Sequence, residues 1–133
     1  MSEPQLHAPM RSPLGRAIGL GSAKEGVDHW WVQRLTAIAL VPLALWFVVA
    51  VIEHAGADRA DVVEWLHHPV PAVMMVLLLI AAFYHSALGL QVVIEDYVAS
   101  ESARLVLLVA NKLLWVILAV LGIFAVLKIS LAG

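Results

Sequence analysis

Three apolar stretches, each long enough to cross a lipid bilayer as a helix, constrain this chain more than any other feature. They run from about Trp30 to Ile52, Val70 to Ile94 and Leu105 to Leu127, and a hydrocarbon core needs roughly 20 apolar residues in helical form. The first carries no charge between Leu35 and Ile52. The second is interrupted by one histidine, His85, and the third by Asn111 and Lys112 near its start. With 62% hydrophobic and 14% charged residues in 133, and a mean hydropathy of +0.92, a soluble domain of this size could not bury the apolar surface. Lipid is the solvent for most of the chain. Backbone groups in lipid must be satisfied within the protein, and continuous apolar runs do not alternate as barrel strands do. The expected fold is all-α: an integral membrane bundle of three helices, preceded by a cytoplasmic segment over residues 1–28, with the membrane domain over 29–133.

Charge placement gives the expected orientation. Arg11, Arg16, Lys24 and Arg34 lie at or before the start of the first span, whereas the first loop carries Glu53, Asp58, Asp61 and Glu64 against Arg59 alone. Lys and Arg are retained on the cytoplasmic side, which puts the N-terminus inside and the C-terminus outside, in the periplasm of a bacterial inner membrane. The acidic second loop, 95–104, and Lys128 on the outer side do not add to that rule. The N-terminal segment lacks the apolar core of a secretory signal. It is also poor in arginine for a transit peptide, with Glu3 and Glu25 present. Trp30 and Trp31 sit where an interfacial aromatic belt would anchor the first span, Pro69 and Pro71 suit a helix start, and Pro42 lies inside the first span, where it frees a carbonyl. Residues 53–69 read as a solvated loop. His67 and His68 within it are adjacent, and so point apart on any helix. Three helices are too few to enclose a path, and the chain reads as part of a larger assembly.

The absence of cysteine excludes disulfides, thiolate metal sites and cysteine-held iron–sulfur clusters within this chain. No basic, aromatic-interleaved stretch suggests nucleic acid. The chemistry concentrates on His85. An ionisable side chain at membrane depth faces protein, cofactor or water, and neutral imidazole is a haem axial ligand. From position alone, a haem ligand and a hydrogen bond to a neighbouring helix are equally open. Gly89 follows by four residues and Asp96 by eleven, so the three share one helical stripe. At ~1.5 Å per residue His85 lies about 16 Å from Asp96, near the middle of a ~30 Å core. A glycine one turn from His85 admits either a flat macrocycle or another helix. A bis-histidine haem needs two imidazoles, and His7, His29, His54, His67 and His68 lie outside the spans or at their edges, so the second would come from another subunit. Arg34, one turn inside the first span, either snorkels to headgroups or forks onto a carboxylate. Tyr97 closes the second span, either as a belt tyrosine or as a donor to a quinone carbonyl.

The run His85-Ser86-Ala87-Leu88-Gly89-Leu90-Gln91-Val92-Val93-Ile94-Glu95-Asp96-Tyr97 resembles the H-x-x-x-G-x-x-x-x-x-x-D-Y signature of the hydrophobic membrane anchors, the D subunits, of succinate dehydrogenase, respiratory complex II. Arg34-Leu35-Thr36-Ala37-Ile38-Ala39-Leu40 resembles that family's first-helix motif, and layout and length agree over nearly the whole chain. The resemblance implies a non-flavin subunit, not catalytic alone. His85 would be one axial ligand, through iron, of a haem b shared with the companion C anchor, cytochrome b556. Tyr97, with Asp96 beside it, would bind ubiquinone, and Arg34 would lie near the quinone and the haem propionates. The iron–sulfur and flavoprotein subunits would dock on the cytoplasmic face and pass electrons from succinate to quinone. Relatives read Gly-Val-His-Asp before the first helix, where this chain reads Gly26-Val27-Asp28-His29; His29, displaced by one position, is carried as a haem-side residue on that basis. Two readings compete: an anchor without cofactor, with its fumarate reductase variant, and a transporter or channel subunit. The second would need polar residues along several helices, and only His85 and the Asn111–Lys112 pair break the apolar runs.

Overall fold

The computed structural model describes residues 22–132; His7, Arg11 and Arg16, and the side chains of Lys24 and Glu25, lie outside what is described. Every element is helical: α1 (Ser22–Glu53), α2 (Arg59–His67), α3 (Pro69–Tyr97) and α4 (Glu101–Leu131), with no strand among the described residues. The chain divides into two compact units, one ending at Trp31 and the other beginning at Val32. In the first, the rings of Trp30 and Trp31 meet edge to face at 5.1 Å. The rest concerns the second unit.

Three of the helices are long and apolar enough to span a membrane, over Gly26–Glu53, Pro69–Tyr97 and Glu101–Leu131. They extend beyond the apolar runs because helical hydrogen bonding continues into the flanking polar residues, where side-chain caps become available. Ser100 caps α4 by accepting from the Ala103 amide, and Pro69 and Pro71 open α3, where no N–H partner is needed. α1 continues through Pro42 to Glu53.

Residues 53–69, expected as loop, contain a helix. Glu53 leads into a turn in which Gly56 takes φ +87°, a backbone region that disfavours a side chain. Asp58 then starts α2 by accepting from the Asp61 amide at 3.0 Å. Nine residues are too few for a helix to persist alone, and tertiary packing makes up the difference. Trp65 stacks on Trp46 of α1 at 5.9 Å and meets the His54 ring at 4.6 Å, and Leu66 is buried. His54 Nδ1–H donates to the Ala50 carbonyl and His67 Nδ1–H to the Ser130 carbonyl near the end of α4. His67 and His68 therefore serve as a tie and as the N-terminal flank of α3.

The most extensive packing is between α3 and α4. Gly122 of α4 lets Leu79 approach, since a Cβ there would stand 3.2 Å from its Cδ1 and 3.7 Å from Phe83, and Phe83 packs on Trp115 at 5.7 Å. The polar centre of this seam is Asn111, 4% exposed. Its Nδ2 donates to the Ala87 carbonyl at 2.9 Å, and its Oδ1 accepts from the Trp115 indole N–H at 2.7 Å. The residue that interrupts the third apolar run is thus a clasp onto α3. Outside these seams the helices remain apolar and exposed, Leu35, Ile38, Val41 and Leu45 of α1 among them, as suits surfaces meeting lipid or other subunits.

Candidate functional site

His85 lies in the interior of α3, half-buried, where it faces α1. Its Nδ1 is 3.0 Å from Thr36 Oγ1. The same hydroxyl lies 2.9 Å from the Val32 carbonyl and 3.0 Å from the Gln33 carbonyl of its own helix. Threonine bonds back to the preceding turn in this way when its hydroxyl has no water to meet. A carbonyl can only accept, so the single hydroxyl proton is directed to the backbone. With the proton so directed, the oxygen lone pairs can accept from the ring, the arrangement of the tautomer that carries its proton on Nδ1. Nε2 makes no hydrogen bond to the described residues. Thr36 also borders an apolar groove between α1 and α3, lined with it by Leu35, Ala39, Leu43, Ala81 and Tyr84 among others.

One turn beyond His85, Gly89 faces Gln33. A Cβ at Gly89 would lie 4.0 Å from Gln33 Nε2, an ordinary contact, so nothing among the described residues requires glycine there. Gln33 Oε1 is buried with no hydrogen-bond partner among the described residues. The two pairings, Thr36 with His85 and Gln33 with Gly89, set an antiparallel register between α1 and α3. In that register Arg34 is level with residues 87–88, about 14 Å along the axis from Tyr97 at ~1.5 Å per residue. Arg34 is exposed and stands ~200° around α1 from Thr36. Side chains tilt toward the N-terminus of their helix, so on antiparallel helices Arg34 and Tyr97 lean toward each other.

Tyr97 ends α3 and is 83% exposed, with Asp96 exposed beside it. Their turn is tied from the other side: Arg104 donates to the Val98 carbonyl from Nε at 3.1 Å and from its terminal nitrogen at 3.0 Å. Gln91 donates to Glu95 one turn earlier. His29 lies in the first unit, half-buried, with Nε2 lacking a hydrogen-bond partner among the described residues. Among the described residues no group of three or more histidine, cysteine, aspartate or glutamate side chains could hold a metal ion; His85 offers one nitrogen.

The structure thus brings Thr36, Gln33 and Gly89 to His85, and leaves Asp96 and Tyr97 at the far end of α3. Thr36, Asn111 and Arg104 are the contributors that sequence reasoning did not assign. Thr36 sits inside the first-helix motif, but its partner is 49 residues away and no local spacing reveals it.

A family model described as the succinate dehydrogenase/fumarate reductase transmembrane subunit matches residues 8–126. The chain is similar to the succinate dehydrogenase hydrophobic membrane anchor subunit of Rickettsia bellii, at 36% identity over 116 residues, covering 87% of this chain and 93% of that one. It is similar to the subunit of the same name from Paracoccus denitrificans, at 27% over 122 residues, covering 92% and 94%. The membrane anchor subunit of Reclinomonas americana is 30% identical over 86 residues, 62% of this chain and 72% of that one. No solved structure matches.

Proposed function

The chain belongs to the succinate dehydrogenase/fumarate reductase transmembrane subunit family, and from that premise we propose that it supplies one axial ligand of a haem b, His85, and part of a ubiquinone site at Tyr97. Membership makes it a membrane anchor within a larger enzyme complex. The finer reading is our own. Its partners are a second anchor subunit that donates the other imidazole, and the iron–sulfur and flavoprotein subunits docked at the Tyr97 end. That end is cytoplasmic, and the C-terminus is periplasmic, in a bacterial inner membrane, by the charge distribution.

The observation that carries the haem reading is the placement of His85: a half-buried imidazole with Nδ1 3.0 Å from the Thr36 hydroxyl and Nε2 in no hydrogen bond with the described residues. Metal-bound histidines hold their other ring nitrogen in a hydrogen bond in this manner. The surroundings fit a flat macrocycle, since Gly89 lies one turn along and Thr36, the partner of His85, borders an apolar groove. When bound, haem b would supply a one-electron store. The chain's own residues bind and orient. His85 would hold the iron, Arg34 would offer a fork of donors to haem propionates, and Tyr97 would present a phenolic O–H to a quinone carbonyl. Asp96, exposed beside it, is placed to accept and pass on a proton from the aqueous side. The Arg104 tie on the Val98 carbonyl keeps this turn in place.

The quinone role is tested by comparing two activities of the Tyr97→Phe complex. Electron transfer from succinate to quinone falls about tenfold, the equivalent of one hydrogen bond of ~1.4 kcal/mol, whereas transfer from succinate to a soluble dye is unchanged. An equal fall in both would assign Tyr97 to assembly, and no fall in either would remove it from the quinone site.

A further inference from the structure

Among the described residues, Thr36 is the one whose side chain hydrogen-bonds His85, and its own hydrogen bonds are over-determined. One hydroxyl proton faces two carbonyls, at 2.9 and 3.0 Å, and an imidazole nitrogen at 3.0 Å. If the hydroxyl donated to Nδ1, the ring proton would sit on Nε2, which makes no hydrogen bond to the described residues. Both backbone contacts would also lose the hydroxyl proton. If it donates to the backbone, every proton in the cluster has an acceptor. Burial weights this choice heavily, because an unmet polar group in an apolar setting costs about 1–3 kcal/mol.

We propose that Thr36 is a positioning residue for His85: it accepts the Nδ1–H hydrogen bond, fixes the tautomer with the lone pair on Nε2, and sets the rotation of the ring about its side-chain bonds. The inference rests on the reading of His85 as a haem ligand and deepens it. The backbone of α1 thereby takes part in the site, since the acceptor is itself held by the Val32 and Gln33 carbonyls. A hydrogen bond accepted from Nδ1–H makes the imidazole a stronger electron donor, which favours ferric over ferrous iron. Removing it should raise the midpoint potential and loosen haem.

The test uses the intact complex purified with Thr36→Val, Thr36→Ser and His85→Ala. Valine keeps the branched shape without a hydroxyl; serine keeps the hydroxyl. The readouts are haem per complex, the midpoint potential by optical titration, and the low-temperature EPR signal of the oxidised haem. Thr36→Val is expected to lower haem retention about tenfold, to shift the EPR signal and to raise the potential. A tenfold preference between the two oxidation states reads as ~59 mV for one electron. Thr36→Ser is expected to restore all three. Loss of haem in His85→Ala alongside an unmoved potential and EPR signal in Thr36→Val would overturn the role of Thr36 and leave the ligand reading intact. Haem retained unchanged in His85→Ala would overturn the ligand reading itself. Should Thr36→Val fail to assemble, Thr36→Ser with wild-type packing but an altered potential opposes the proposal, because the hydroxyl it needs would still be present.

Discussion

Asn111→Ala should weaken the α3–α4 seam by about 2–4 kcal/mol. The side chain makes two hydrogen bonds in a position only 4% exposed. The bond from Nδ2 to the Ala87 carbonyl crosses between helices, and such bonds in membranes average ~0.6 kcal/mol and reach ~1.7. The carbonyl keeps its own helical partner, so its loss costs little more. The Trp115 indole N–H is different: its acceptor is Asn111 Oδ1 at 2.7 Å, and removal leaves a donor in an apolar seam at about 1–3 kcal/mol. Trp115→Phe keeps the packing on Phe83 and removes the donor, costing about 1–2 kcal/mol by the unmet Asn111 oxygen. Because both changes break the same bond, the double variant should be more stable than the sum of the singles by ~1 kcal/mol. The assay is equilibrium denaturation of the purified complex in detergent, following α3–α4 separation by distance labels on the two helices. Additive effects across the cycle would refute the Asn111–Trp115 bond, and no loss of α3–α4 association in Asn111→Ala would refute the clasp on the Ala87 carbonyl.

Gly89→Ala meets nothing closer than 4.0 Å among the described residues and should leave insertion intact, with up to ~1 kcal/mol gained from helix propensity; a fall in haem content of the purified complex would place the haem against Gly89. Gly122→Ala brings a Cβ to 3.2 Å of the flexible end of Leu79 and should cost no more than about 1 kcal/mol, while Gly122→Ile should cost about 1–3 kcal/mol by overpacking, read by the same denaturation. Asp58→Ala removes the cap accepted from Asp61 and should destabilise α2 by about 0.5–2 kcal/mol, seen as faster proteolysis between residues 53 and 69. Arg104→Ala releases the Val98 carbonyl and should lower quinone reduction without changing haem content; equal haem loss would mean that the tie supports the whole bundle.

The three spanning helices were legible because lipid leaves a chain little choice: some 20 apolar residues without strand alternation must be helical. α2 was not legible. Its nine residues are half polar, and its stability comes from Trp46 and His54 meeting its Trp65, and from burial of its own Leu66, in three dimensions. Asp58 with Asp61 three residues on, and Pro69 just past the end, were the only local signs. His85 stood out because an imidazole at membrane depth needs a reason. Its partner did not, since threonine is tolerated in any membrane helix by bonding to its own backbone, and the pairing across 49 residues depends on helix register. Asn111 was visible as an interruption, while its role required knowing that Ala87 and Trp115 lie within reach.

The central claim is that His85 binds haem iron, and the dithionite-reduced minus oxidised visible spectrum of the purified complex, with and without His85→Ala, tests it most directly. A b-type band in the parent that is lost or shifted in the variant is the predicted result. An identical band in both would contradict the claim, and would leave His85 as a packing residue hydrogen-bonded to Thr36.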